Sequence, residues 1–170
     1  MKDNRKRIKR ITLLALFASV AMLLSYVEFL LPPIFTSVPG IKMGLPNIII
    51  VLVLYRFGIK DAAIVSLVKL VLSTMLFANI TAFWYSLAGA ALSLAVMALL
   101  KRLDILSSVG VSVAGAVMHN LGQVIVAMLL MQTSAIGYYM IVLLFTGVIS
   151  GVFIGLAGAM MIKRTAHFDM

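Results

Sequence analysis

The sequence lacks cysteine altogether, and charged residues make up only 11% of its 170 positions, against about a quarter in an average soluble domain. Without cysteine there are no disulfide bonds, thiolate metal ligands or cysteine nucleophiles. Acidic residues are scarcer still, with five in total and no two of them adjacent in a motif. Because Mg²⁺-dependent diphosphate chemistry uses clustered carboxylates, this scarcity argues against a self-contained diphosphate-handling enzyme.

Familiar catalytic motifs are also missing from the sequence. It contains no glycine-rich phosphate-binding loop, no serine nucleophile elbow and no paired-histidine metal motif. We therefore predict no catalytic residue, no bound metal and no cofactor for this chain by itself. Any ATP hydrolysis that drives its activity must come from a partner.

Apolar residues are abundant: 64% of the chain is hydrophobic, which is more than one small core can bury, so lipid is the expected solvent. The formal net charge is +9, yet the basic residues flank apolar runs and form no patch with polar or aromatic readers. This pattern favours anionic membrane lipids as partners and gives no indication of nucleic-acid binding.

The apolar runs predict an all-α membrane protein, a single bundle of six transmembrane helices between residues 11 and 162. Residues 1–10 form a basic N-terminus and residues 163–170 a short tail. The first run is long enough to span a bilayer, and no clean cleavage site follows it, so we expect a retained helix. The second run is short, and Asp61 is the predicted N-cap of the third. The predicted spans are 11–31, 45–57, 61–77, 81–100, 109–131 and 138–162.

The distribution of positive charge predicts the orientation of the bundle. Twelve of the fourteen Lys and Arg residues lie in segments 1–10, 56–60, 101–108 and 163–170, which alternate helices would place on one side. Positive residues collect on the cytoplasmic side of membrane proteins, so both termini are predicted to be cytoplasmic. The two exceptions are Lys42 and Lys69.

A group of polar residues within the apolar runs predicts a ligand site. Lys69 lies about 12 Å from the cytoplasmic end of its helix and His119 about 15 Å, at 1.5 Å per residue. Polar residues at this depth are costly and need a partner or a ligand. The alternative is structural: Lys69 pairs with Glu28, and His119 bonds a neighbouring helix. The predicted ligand-binding residues are Lys42, Asn47, Lys69, His119, Asn120 and Gln123, and the predicted lining residues are Glu28, Asn79, Trp84, Tyr85 and Tyr138.

Small residues recur at helix-packing spacing on the first and sixth predicted helices, where they allow close backbone approach in lipid. On the sixth, Gly147, Gly151, Gly155 and Gly158 form a stripe. Two interpretations stay open: packing within the monomer, or contact with a partner membrane protein.

The segment Pro39–Asn47, with the sequence PGIKMGLPN, and the segment HNLGQ at His119–Gln123 carry a family resemblance. They resemble the small bacterial membrane proteins called Gx transporters, a family also labelled heptaprenyl diphosphate synthase component I. The resemblance covers nearly the whole chain and implies a multi-pass protein of the bacterial cytoplasmic (inner) membrane.

The family is in turn similar in size and layout to the substrate-binding S-components of energy-coupling factor transporters. That similarity implies six helices, an outward-facing pocket, and docking on a transmembrane coupling protein served by two ATPase subunits. Ala15 and Ser19 match the spacing of the small-residue docking motif on the first helix, with serine in place of the second alanine.

The leading functional hypothesis is a substrate-binding transporter subunit for a small ligand, anionic or related to isoprenoids and quinones. The first alternative is a membrane component of heptaprenyl diphosphate synthesis, as the family label implies. The second is a membrane scaffold in flavin or quinone electron transfer that holds its partners through the glycine stripe of the sixth helix.

Overall fold

A computed structural model describes residues 2–31, 44–78, 80–132, 137–138 and 140–165. Six α-helices and no strand occur in these residues, as the sequence predicts for a helical membrane protein. The helices are α1 (Lys2–Leu30), α2 (Asn47–Arg56), α3 (Ile59–Leu76), α4 (Ile80–Leu103), α5 (Ser108–Met131) and α6 (Met140–Thr165).

Helix α1 begins well before the predicted start of the first span. Its 29 residues include residues 2–10 of the basic N-terminal segment, which is predicted from the sequence to lie outside the membrane domain. Lysine and arginine are good helix formers, so the helix continues through them with no break at Ile11. The result is a helix about 43 Å long, whose basic end extends beyond the roughly 30 Å apolar layer of a bilayer.

Four of the helices, α1, α4, α5 and α6, are long and apolar enough to cross a membrane. Helix α2 has only ten residues, a length of about 15 Å, and so covers about half of the apolar layer. Its residues Ile49–Leu54 are at most 3% exposed, which makes α2 a central half-helix with no lipid-facing side. Helix α3 is continuous over 18 residues, but Lys69 interrupts its apolar sequence.

Large apolar side chains cover much of the outer surface of the bundle. Leu16 on α1, Leu129 on α5, and Phe145 and Phe153 on α6 are all exposed. Apolar side chains in such numbers on an outer surface are stable only against lipid or against another membrane protein. The chain is therefore a multi-pass membrane protein.

Glycine–backbone contacts bring α5 close to both of its neighbours. A Cβ atom at Gly122 of α5 would lie 2.8 Å from the Ala88 carbonyl oxygen of α4. On α6, a Cβ at Gly151 would lie 2.7 Å from Val113 Cα, and one at Gly155 would lie 2.8 Å from Val109 Cα, both on α5. The α6 glycine stripe thus packs inside the monomer. The scaffold hypothesis requires this stripe to face a partner, but α5 and, at Gly158, α2 already cover it.

Basic side chains tie several helix ends together at one end of the bundle. Arg10 of α1 donates through Nε and Nη2 to Asp61 Oδ2 at the start of α3, at 3.0 and 2.7 Å. Lys101 Nζ of α4 donates to the Leu54 carbonyl near the end of α2 at 2.6 Å. Arg56 Nη2 of α2 donates to the carbonyl of the last α6 residue. We call this the basic end.

Asp61 does not cap α3 as predicted. The helix begins two residues earlier, after Gly58, whose φ of +97° suits a glycine. Asp61 therefore lies within the first turn of the helix. Its carboxylate is turned toward Arg10, since an ion pair satisfies a buried carboxylate that the early helix start leaves inside the bundle.

Candidate functional site

A polar cavity lies in the half of the bundle opposite the basic end. Its lining includes Glu28 near the end of α1, Asn47 at the start of α2, and Phe77 just after α3, and these positions place it at the far end of the helices. The cavity measures about 90 Å³. All six helices contribute to its wall. Its other lining residues include Ser25, Gly44, Pro46, Lys69, Ser73, Thr74, Ala82, Ser86, His119, Asn120, Gln123, Ser150 and Ile154.

Five of the six residues predicted to bind a ligand line this cavity. They are Asn47, Lys69, His119, Asn120 and Gln123, from α2, α3 and α5. The depth estimate places Lys69 and His119 at similar heights on separate helices, and the structure brings both to one cavity. Glu28, a predicted lining residue, also faces it. Lys42 and Asn79 lie outside the described residues.

The turn before α2 forms part of the cavity wall, at the end of the bundle opposite the basic end. Gly44 adopts a φ of +76°, and its backbone N–H donates to Glu28 Oε1. A Cβ atom at Gly44 would lie 3.1 Å from Asn47 Nδ2 and 3.2 Å from Ile154 Cδ1. Glycine is required here for both reasons, because a side chain is strained at this φ and would displace Asn47. The turn thus joins α1 to α2 through a lining carboxylate.

The contact between α4 and α5 positions His119 and Gln123. A Cβ at Gly89 of α4 would lie 2.7 Å from the His119 carbonyl oxygen and 2.9 Å from Gln123 Cγ. The absence of a side chain at Gly89 therefore lets α5 approach so closely that both polar residues sit against α4. The HNLGQ segment is held by backbone contact, which restricts its freedom to rotate.

Asn120 has a structural contact in addition to its place in the cavity wall. Its Nδ2 donates to the Leu143 carbonyl oxygen of α6 at 2.6 Å. Thr146 Oγ1 donates to the same oxygen at 3.1 Å. One end of the Asn120 amide thus holds α5 to α6, while the residue still borders the cavity.

Hydroxyl groups in the cavity wall add polar contacts beyond the residues predicted from the sequence. Ser73 of α3, on the same face as Lys69, is a lining residue whose Oγ is buried and has no hydrogen-bond partner among the described residues. Buried hydroxyls are nearly always bonded in native proteins. In the sequence, the position of Ser73 one helical turn after Lys69 already indicated that it shares the face of Lys69. The structure adds that its hydroxyl is buried.

Replacing Ser73 with alanine tests whether its hydroxyl binds the ligand or has no role in binding. If the hydroxyl binds a ligand, S73A should weaken ligand retention about fivefold to tenfold, since a hydrogen bond is worth about 1 kcal/mol. The thermal stability of the ligand-free protein should stay unchanged or rise, because an unsatisfied polar atom is removed. Native mass spectrometry and a thermal melt in detergent measure the two effects. Equal retention by both proteins would contradict the prediction.

The three predicted aromatic lining residues are not part of the cavity wall. Trp84 is 52% exposed and packs edge-on against Phe83, and Tyr138 is 82% exposed. Tyr85 is not a lining residue either, and its buried hydroxyl has no hydrogen-bond partner among the described residues. Exposed tryptophan and tyrosine near helix ends suit the membrane interface, where their amphipathic rings accumulate.

No cluster of three or more His, Asp or Glu side chains that could hold a metal ion occurs among the described residues. The chemical groups that converge are one ammonium, one carboxylate, one imidazole, three amides and several hydroxyls. This set can hold a small polar molecule by hydrogen bonds and charge. It provides no metal-ligand geometry.

The fold and the cavity define a class of protein: a multi-pass helical membrane protein with a polar cavity lined by all six helices. The family model described as heptaprenyl diphosphate synthase component I matches residues 17–161, and the chain belongs to that family. The word component implies a partner protein. No curated protein and no solved structure matches the chain.

Proposed function

We propose that this chain is the substrate-binding subunit of a membrane transporter for a small polar solute. The observation that carries the proposal is the polar cavity within an otherwise apolar bundle. Placing Lys69, Glu28 and His119 inside a membrane costs free energy, about 2.5–3.5 kcal/mol for a single charged residue at the bilayer centre on insertion scales. A ligand that uses these groups gives a reason to retain them.

The size of the cavity restricts the ligand. At about 90 Å³ it is far below the roughly 300–1,000 Å³ of sites for drug-sized molecules. A flavin or an isoprenoid chain is much larger than this space. The proposed ligand is therefore a compact polar solute, which narrows the range of ligands that the sequence leaves open.

The charge of the cavity wall favours a solute with an anionic group. Helix α2 begins at Asn47, which lines the cavity, and the partial positive charge of a half-helix N-terminus is a recurrent feature of transporter substrate sites. Lys69 adds a full positive charge, while the Glu28 carboxylate accepts a bond from the Gly44 backbone. We propose that Lys69 and the α2 terminus hold the anionic group and that the amides orient the rest of the solute.

Energy for uptake would come from partners, since the sequence contains no ATPase motif. We propose that a transmembrane coupling protein with two ATPase subunits docks on α1. Ala15 and Ser19 are exposed on this helix, and the Ser19 hydroxyl is satisfied by the Ala15 carbonyl at 2.9 Å, so the face is small and free of unpaired polar groups. Such a face permits close helix approach in lipid.

Docking is tested by enlarging that face. A15L should reduce recovery of the coupling protein and ATPase subunits from membranes of the source cell at least about fivefold, because a larger residue separates the helices. A63L is the matched control, since Ala63 is an exposed alanine on α3. Equal recovery of ATPase subunits by both variants would contradict docking at Ala15, and recovery of none with the wild-type chain would contradict the transporter assignment.

The family match favours a second candidate, a membrane component of heptaprenyl diphosphate synthesis. Because the described residues offer no carboxylate cluster for Mg²⁺, the chain would then assist a partner that carries the catalytic groups. The test is chain elongation from isopentenyl diphosphate and an allylic diphosphate by the candidate partner, with and without this protein. A rate that is independent of this protein would exclude the role.

A further inference from the structure

A second cavity, separate from the polar cavity described above, lies at the basic end of the bundle. It is an open groove of about 590 Å³ between the N-terminal half of α1 and the junction of α2 and α3. Four of its seven lining residues are cationic and only one is anionic. The lining residues are Lys6, Lys9, Arg10, Leu13, Arg56, Phe57 and Asp61.

The single carboxylate in the groove orients an arginine. Asp61 is almost fully buried, with a side chain 5% exposed, whereas the side chain of Arg10 is 57% exposed. Two N–H groups of Arg10, on Nε and Nη2, are bonded to Asp61 Oδ2. A guanidinium has five N–H donors, so three remain for another acceptor. The ion pair therefore fixes one edge of the guanidinium and leaves the other edge available.

A second arginine is fixed on another wall of the groove. Arg56 donates through Nη2 to the Thr165 carbonyl at 2.8 Å, which anchors it at the end of α6. Lys6 and Lys9 come from α1, so the cations reach the groove from two helices. Two anchored guanidiniums and two ammonium groups can together bind a phosphate. Arginine binds phosphate through the planar edge of its guanidinium, and lysine binds it as a point charge.

We propose that this groove is a binding site for the phosphate of an anionic phospholipid in the leaflet at the basic end. Leu13 of α1 and Phe57 at the end of α2 supply an apolar wall directly beside the cations. A headgroup in the groove would thus have acyl chains along apolar side chains. A free phosphate ion would gain nothing from this apolar margin.

A specific site and general attraction to an anionic membrane give opposite expectations for Asp61. If only net charge matters, D61N removes a negative charge and should raise the affinity for anionic lipid, since each basic residue near the surface contributes similarly. If the groove is a built site, D61N should lower the affinity, because Arg10 loses the carboxylate that orients it. The sign of the change decides between the two.

The experiment is a titration of the full chain, in neutral detergent, with short-chain phosphatidylglycerol, followed by native mass spectrometry. We expect D61N to lower the affinity about fivefold, and R10K, which keeps the charge but loses the planar fork, to lower it about fivefold to tenfold. R7K is the matched control, because Arg7 is exposed on α1 and does not line the groove. Its affinity should stay within about twofold of the wild type, as expected for surface charge alone.

Three outcomes would overturn the proposal: tighter lipid binding by D61N, equal effects of R10K and R7K, or displacement of the lipid by equimolar inorganic phosphate. The last would make the groove a site for a free anion. Circular dichroism and size-exclusion profiles show whether D61N folds; if it does not, the comparison of R10K with R7K decides alone.

Discussion

Replacing Lys69 with methionine is expected to abolish retention of the polar solute, with an affinity loss of about 100-fold or more. Hydrogen bonds to charged groups contribute about 1.5–3 kcal/mol, and the upper part of that range corresponds to about 100-fold. Methionine is similar in length and apolar, so it should be tolerated inside the bundle. The measurement is native mass spectrometry of the purified chain, in which the wild type retains a small molecule and K69M does not.

The matched control for this variant lies on the same helix. Lys60 is exposed in the first turn of α3 and does not line the cavity, so K60M makes the same chemical change without touching the site. We expect K60M to retain the solute as the wild type does. Wild-type retention by K69M, or an equal loss in both variants, would exclude Lys69 as the group that holds the solute.

A structural role for Lys69 predicts a different result in a double variant. If Lys69 serves only to compensate the charge of Glu28, K69M should destabilise the fold, and adding E28Q should restore stability and solute retention together, since the uncompensated carboxylate is gone. If Lys69 holds the solute, the double variant K69M/E28Q should fold and still bind nothing. Retention and thermal stability, measured on the same preparations, separate the two roles.

The convergence of the polar residues was predictable because it depends mainly on helix geometry. A helix rises 1.5 Å per residue, so the distance from a loop gives the depth of a side chain in the bilayer. Counting from Asp61 and Val109 placed Lys69 and His119 at similar heights, and both line the cavity. The cost of polar groups in lipid then implied that they face inward.

Features that depend on rotation and helix ends were not predictable in the same way. Trp84 lies at a depth compatible with the cavity but on the outer face of α4, because depth alone does not determine which side of a helix faces inward. The sequence predicts Asp61 as a helix cap, whereas the structure shows it paired with Arg10. The two residues are 51 positions apart, so no local sequence pattern indicates their contact. The burial of α2 likewise depends on the helices that surround it.

The glycine stripe of α6 was ambiguous in the sequence, and its structural interpretation leads to the second large expected effect. G151A should destabilise the folded protein by about 1–3 kcal/mol, as inserted methyl groups do in a tightly packed interior. The new Cβ would meet Val113 Cα at 2.7 Å, a backbone atom that can move only if α5 moves. This effect must exceed the gain of up to about 1 kcal/mol that alanine brings over glycine in a helix.

Gly137 provides the matched control, because among the residues that the structure describes a Cβ atom there meets only Met128 Sδ, at an ordinary 3.5 Å. G137A should melt within about 0.5 kcal/mol of the wild type, as surface substitutions usually do. An equal effect of the two substitutions, measured by thermal or denaturant unfolding in detergent, would contradict close packing of α5 on α6. A partner-facing stripe makes the opposite prediction: G151A would leave the isolated monomer unchanged and reduce only recovery of the partner.

The polar cavity is also affected by G151A, because the contact between α5 and α6 includes the hydrogen bond from Asn120 to the Leu143 carbonyl. A small separation of α5 from α6 should therefore weaken solute retention in G151A even where the protein remains folded.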